Sequence, residues 1–174
     1  MSTKYELTDE AKNINGITLH RIRALRDIPS ACVKTDDLGG WIEKESNLCQ
    51  NGNAWVYGDA RVYDNAWVSG NAWVYGDAEV SGNAKVSGNA EVYGDAEVKS
   101  SEDYCVFRNT WSSFRWFTYT HSNKKWAVGC FYGTGEELIK KAYADSELSG
   151  KCYEAIVRAQ EAIDKAIEEA KETT

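Results

Sequence analysis

Residues 52–63 (GNAWVYGDARVY), 70–81 (GNAWVYGDAEVS) and 88–99 (GNAEVYGDAEVK) are near copies of one another, set eighteen residues apart. Within them a shorter unit, Gly, then Asn or Asp, then Ala-x-Val, recurs every six residues. Eight such hexads run without a gap from Gly52 to Lys99, each with Ala at its third position and Val at its fifth. A chain with this pattern has few ways to fold.

In an extended segment alternate side chains face opposite ways, so Ala and Val point to one side and the residues between them to the other. Gly with Asn or Asp supplies a bend, because these residues tolerate positive φ at little cost. Straight segments bent every six residues close into a three-sided tube if three hexads complete a turn, and residues eighteen apart then stack at a strand spacing of roughly 4.8 Å. The bend residues sort accordingly: Asp59, Asp77 and Asp95 fall on one corner, Asn53, Asn71 and Asn89 on a second, Asn65 and Asn83 on the third. Stacked carboxylates repel, so the Asp column needs either a cation or hydrogen bonds within the bends, and bend capping is the expectation.

The unit resembles the hexapeptide-repeat family, in which an aliphatic residue is followed four positions later by a small one, as in Val56 to Ala60 and Val62 to Ala66. That resemblance implies a left-handed parallel β-helix. Upstream, GWIEKESNLCQN (40–51) keeps Ile42 and Leu48 in phase with Ala54 and Ala60, which predicts two degenerate hexads capping the tube. Before them KYEL and GITLHRIRAL are candidate strands on either side of Asn15-Gly16. The expected fold is mainly β, with a β-rich lead-in (1–39), a three-sided left-handed β-helix of 18-residue coils (40–99), and a C-terminal α+β unit (100–174) of a β-hairpin plus two helices.

Projected on the tube, Trp55, Tyr57, Trp73, Tyr75 and Tyr93 share one outer face. A second face carries Arg61, Tyr63, Glu79, Ser81, Glu97 and Lys99, and the third Trp67, Ser69, Lys85 and Ser87. Five rings at about 150 Å² or more each form a patch larger than monomers leave open. An element of the same chain, an identical subunit or a foreign partner would cover it. A homotrimer packed through this face is the preferred version, since parallel trimers are common where the hexapeptide resemblance holds.

Beyond Ser101 the composition changes. Tyr104 to Gly135 contains no acidic residue, four basic ones (Arg108, Arg115, Lys124, Lys125) and ten aromatic ones. FRWFTYTHSNKKWAVGCF reads as two strands joined by a turn near Ser122-Asn123-Lys124. The rings serve either as the hairpin's own core or as stacking surfaces for an anionic ligand, whose candidate contacts are Arg115, Trp116, His121, Lys124, Lys125 and Trp126. Thr134, with Glu137 completing a capping box, opens a helix with Leu138, Ile139 and Ala142 on its apolar side. A second helix is expected after Gly150, with Tyr153, Ile156, Val157, Ile163, Ile167 and Ala170 on one stripe, packed on the hairpin or on its copy in an oligomer.

The 20 basic and 27 acidic residues give a net charge of -7, which argues against nucleic acid as a partner. The excess lies on the tube, where residues 52–99 hold three basic and seven acidic side chains. Five scattered cysteines without metal-type spacing fit a reducing cytoplasm, and Cys130 reads as a core thiol. MSTKYELTDE lacks the charge and apolar regions of a signal peptide, and no stretch reaches the roughly 18 apolar residues of a membrane span. A soluble, unexported protein is expected.

ITLHRIRAL (17–25), DLGGWIEKESNL (37–48) and GCFYGTGEEL (129–138), together with the repeat, resemble a group of phage, prophage and bacterial hexapeptide-repeat proteins that has no agreed activity. This implies a phage accessory protein that binds and inhibits a host defence component or sequesters a nucleotide-type signal. Hexapeptide acyltransferases place a histidine at the tube, and the related carbonic anhydrases need three zinc-binding histidines. This chain has only His20 and His121, neither within the hexads. No catalytic residue, metal or cofactor is therefore expected. The alternatives are an acyltransferase-like enzyme using His121 of one subunit against the tube of the next, and a structural phage protein.

Overall fold

The computed structural model describes residues 3–111 and 114–172. Strands β1 (Tyr5–Ile14) and β2 (Ile17–Ala24) pair antiparallel across Asn15 and Gly16, whose φ values of 52° and 88° make the two-residue turn that Asn-Gly favours. Strand β3 (Leu38–Ile42) continues the antiparallel sheet and then turns parallel to the tube. The hexads give eight short strands: β4 (Trp55–Val56), β5 (Arg61–Val62), β6 (Trp67–Val68), β7 (Trp73–Val74), β8 (Glu79–Val80), β9 (Lys85–Val86), β10 (Glu91–Val92) and β11 (Glu97–Val98).

These strands stack in three parallel files, β4-β7-β10, β5-β8-β11 and β6-β9, with partners eighteen residues apart. Every Ala and Val at the repeat positions is at most 1% exposed. A wholly buried Val is worth about 1.5–3 kcal/mol, and the small Ala beside it lets three walls meet without a void. Asn53 donates to Asn71 at 3.0 Å and Asn71 to Asn89 at 3.2 Å, so one corner is a ladder of amides. Asp64 stands where the other bends have Gly, takes φ 57°, and accepts from the Gly82 amide at 3.2 Å.

Both ends of the tube are closed by a chemical rule. Within the coils an N–H donates to a carbonyl seventeen residues on, as from Trp55 to Ala72 and from Tyr57 to Val74. Alternate bonds run the other way within each ladder, but on the open side of the first coil carbonyls outnumber N–H groups, and on that of the last N–H groups outnumber carbonyls. At the first end each face receives a donor: Lys4 Nζ reaches the Ala54 carbonyl at 2.7 Å, the Trp41 amide reaches Ala60 at 2.9 Å, and Asn47 Nδ2 reaches Ala66 at 2.9 Å. At the other end each face receives a hydroxyl acceptor: Ser101 for the Lys85 N–H at 3.1 Å, Thr118 for Glu91 at 2.8 Å and Ser122 for Glu97 at 2.9 Å. At the first end β3 and the Leu48 bridge also add a backbone rung to two faces, so the exposed strand edges find partners at both ends.

The cap register differs from the expected one. Ile42 pairs with Val62 and Leu48 bridges to Val68, both twenty residues apart, so they occupy Val positions and not Ala positions. The two extra residues lie between Cys49, whose N–H meets Val68, and Asn53, whose N–H meets Gly70. They bring Gln50 out to accept from the Lys4 amide at 2.8 Å and to donate to the Tyr5 carbonyl at 3.1 Å. An even shift keeps the same side inward, which is why Ile42 and Leu48 are still buried.

The C-terminal hairpin is the centre of a larger, four-stranded antiparallel sheet in the order β12 (Tyr104–Arg108), β13 (Trp116–Thr120), β14 (Lys125–Val128) and β15 (Phe131–Gly133). Helices α1 (Gly135–Asp145) and α2 (Glu147–Glu172) follow. Thr134 accepts from the Glu137 amide at 3.3 Å while Glu137 returns to the Thr134 amide at 2.8 Å, the expected capping box. Helix α2 starts before Gly150 instead of after it. A Cβ at Gly150 would strike the Tyr143 ring of α1, so this glycine permits a close crossing and does not break the helix. The buried stripe of α2 is Tyr153, Val157 and Gln160, whereas Ile163 and Ile167 are 48% and 43% exposed.

Candidate functional site

The aromatic face is one file of side chains, as expected, since Trp55 pairs with Trp73 and Trp73 with Glu91. Its cover comes mostly from the same chain. Trp55 is 1% exposed, with Tyr5 edge-on at 6.4 Å, and so cannot be the subunit contact expected of it. Tyr93 lies between Tyr75, stacked at 4.2 Å, and Tyr132 of β15 at 4.4 Å. Tyr132 and Asn123 both donate to Asp95, at 3.0 and 3.1 Å, which hold its carboxyl below the usual range. That end of the Asp column is thus used to dock the C-terminal sheet. Gly94 is needed beside it, because a Cβ there would overlap the Tyr132 ring. Among the described residues no group of His, Cys, Asp or Glu is arranged to hold a metal ion.

Between these two covers the middle coil is left open as a groove of about 510 Å³. Tyr57, Trp73 and Tyr75 form its aromatic wall and Glu91 its one carboxyl. One rim is Ala31 and Cys32, fixed by the Tyr57 hydroxyl donating to the Ala31 carbonyl at 2.8 Å. The opposite rim is Gly129 and Cys130, the turn between β14 and β15. Tyr57 stands at 75° to Tyr75 and at 80° to Trp73, with centroids 6.1 and 6.4 Å away, so the rings meet as the walls of a corner. Burial pushes the Glu91 carboxyl above its usual range, against the smaller effect of the Tyr75 hydroxyl, which donates to it at 3.1 Å. The same burial raises the Tyr57 and Tyr75 phenols well above theirs.

Cys130 is exposed on this rim and β15 separates it from α1, so it is not the core thiol the sequence suggested. Ala31, Cys32, Glu91 and Gly129 were not anticipated either. For Glu91 a signal exists: the column that reads Trp55, Trp73 breaks to Glu91 one coil later, where another ring would be expected. The rims leave no such trace, since they come from irregular segments that the periodicity does not index.

The residues expected to contact an anion are dispersed. Trp126 is 2% exposed, packed on Phe107, Phe117 and Tyr119, and belongs to the core. The Trp116 ring carries the Arg108 guanidinium at 5.4 Å. Lys124 pairs with Glu168 at 3.2 Å and Lys125 with Asp95 at 3.9 Å, so acidic groups from α2 and the tube already meet these cations. Arg115 lies against Gly129, behind the groove rim.

His121 has the most distinctive surroundings. Its Nδ1 is 3.2 Å from Asp164 of α2 and its Nε2 is 3.8 Å from Cys105 Sγ of β12, while Tyr119 donates to the same Asp164 carboxyl. Burial, and secondarily Asp164, raise the Cys105 thiol above its ordinary value, which favours the unreactive form. No helix among the described residues is long and apolar enough to cross a membrane. No protein-family model and no curated protein matches the chain.

Proposed function

We propose that the chain is a non-catalytic binding protein whose site is the groove over the middle coil. One observation carries this reading: three segments distant in sequence, around residues 31, 57–91 and 129, converge on a single recess of about 510 Å³ walled by rings. That is the size and lining of a small-molecule site. A flat subunit face would meet the two rims before it met Trp73. The homotrimer expected to pack through this face would cover the groove, so that packing and this reading exclude one another. The resemblance to phage and prophage proteins suggests the setting, in which the groove withdraws a host signal or takes a side chain of a host defence protein. A fragment library screened by saturation-transfer NMR tests the reading. Binders should lose their signal with Trp73→Leu, and a set of binders indifferent to that substitution would sink it.

A second reading is enzymatic, and the Cys105-His121-Asp164 line favours it. A thiol, an imidazole and a carboxylate in this order are the parts of an activated nucleophile. The expected acyltransferase-like use of His121 would then act through Cys105. Alkylation by iodoacetamide decides: an active thiol reacts much faster than a free cysteine near pH 7 and slows in His121→Ala. Ordinary reactivity, unchanged by that variant, would remove this reading.

A further inference from the structure

Resting on the groove reading, we infer that the groove selects a small organic cation, of the alkylated or quaternary ammonium type, held between the Tyr57, Trp73 and Tyr75 rings and Glu91. Ring faces carry the negative lobe of the aromatic quadrupole and attract a cation placed over them. Here Tyr57 is nearly perpendicular to both of its neighbours, so a rounded group in the corner touches more than one ring. Among the described residues Glu91 is the only formally charged side chain lining the recess, and the repeat region around it holds seven acidic against three basic residues. An anion would have no partner within the groove.

The same walls exclude a hard metal ion. Such an ion needs about six oxygens, and the lining side chains supply one carboxyl and two phenols, one of them already donating to Ala31 and the other to Glu91. An alkylammonium ion is weakly hydrated and gives up less on entering an apolar recess. The groups that face Glu91 sharpen the expectation. Tyr75 donates to it from β7, Thr118 of β13 takes its backbone N–H, the Cys32 and Cys130 thiols stand on the rims, and Arg115 lies behind Gly129. Burial raises the Glu91 carboxyl above its usual range, and a cation seated beside it favours the ionised form.

The test is calorimetric titration of the full chain with choline and with its neutral isostere, in which a tert-butyl group replaces the trimethylammonium. Choline should bind about ten-fold more tightly than the isostere. Glu91→Gln should remove most of that preference while leaving the isostere unchanged, and Trp73→Leu should weaken both. Choline affinity should fall as the pH drops through the Glu91 titration, while that of the isostere should not. Equal affinities for the two probes would overturn the charge inference and leave the groove reading standing. If neither probe binds, the cation inference is overturned, and the fragment screen with Trp73→Leu decides the groove reading separately.

Discussion

The two ends of the tube solve opposite problems with different materials. At the first end the donors for bare carbonyls come from inside the fold: Lys4 and Asn47 are both 0% exposed, and Trp41 belongs to the sheet. At the last end the acceptors for bare N–H groups are three hydroxyls, two of them in exposed hydrogen bonds and only Thr118 buried, on a sheet that arrives from another unit. The contrast shows where stability is concentrated. A buried group whose partner is removed bears its full desolvation cost, about 1–3 kcal/mol, whereas an exposed one turns to water. The first end should therefore be fragile to substitution and the last tolerant.

The largest effect is expected at Asn47. Its side chain donates to Asp64 and Ala66 and accepts from the Lys44 amide, so Asn47→Leu strips three backbone groups of partners. A loss of about 3 kcal/mol or more in urea denaturation is the expected outcome. A loss under about 1 kcal/mol would mean that the end is hydrated and the contrast false.

Lys4 comes next and has a pH signature. Burial lowers its ammonium to about 8 from 10.5. The unfolded chain thus holds more protons than the folded one between those values, and stability must rise as pH rises from about 8 toward 10.5. The gain is on the order of 1–3 kcal/mol, at about 1.4 per unit. The neutral amine still donates to Ala54, so the hydrogen bond survives the change. Tyr5, with its phenol raised by burial, works the other way above about pH 10, because it ionises more readily unfolded. The comparison belongs between pH 8 and about 9.5, against Lys4→Met, whose curve should lack this rise. Parallel curves for the two proteins would show that the Lys4 charge is not desolvated.

This difference between the ends also marks how far the sequence could be read. The tube was legible because Ala at the third position and Val at the fifth leave one winding that buries both, and Trp55 over Trp73 follows from it. The caps were legible only as a need. Lys4 looks like a surface charge until the spare Ala54 carbonyl is known, and the two residues that push Gln50 toward Tyr5 change no side chain's facing, so periodicity does not see them. The wall of the groove was visible as a stripe of rings, but its rims were not, since Cys32 and Cys130 reach it through turns with φ of 52° at Cys32 and 57° at Gly129. His121 was noticed as an isolated histidine. Its partners Cys105 and Asp164 lie sixteen and forty-three residues away, on an edge strand and a helix whose docking no local pattern encodes.

At the last end Thr118→Val keeps the shape and removes the acceptor for Glu91. That N–H is partly buried, and a cost of about 1–2 kcal/mol is expected, together with faster amide exchange at Glu91. Because Glu91 also lines the groove, choline affinity provides a second readout of whether β10 has shifted. Unchanged exchange at Glu91 would mean that the Thr118 hydroxyl is not its cap.

Ser122→Ala should do least. Its hydroxyl accepts from Glu97 in an exposed hydrogen bond, so water replaces it directly. The expected cost is below about 0.5 kcal/mol, with quicker exchange confined to the Glu97 amide. The smallness of this effect matters as much as the size of the one at Asn47, since the two substitutions remove polar partners of open backbone groups from opposite ends of one solenoid. A Ser122→Ala protein as damaged as Asn47→Leu would show that both ends are dry and that the C-terminal sheet is as integral to the tube as the N-terminal plug.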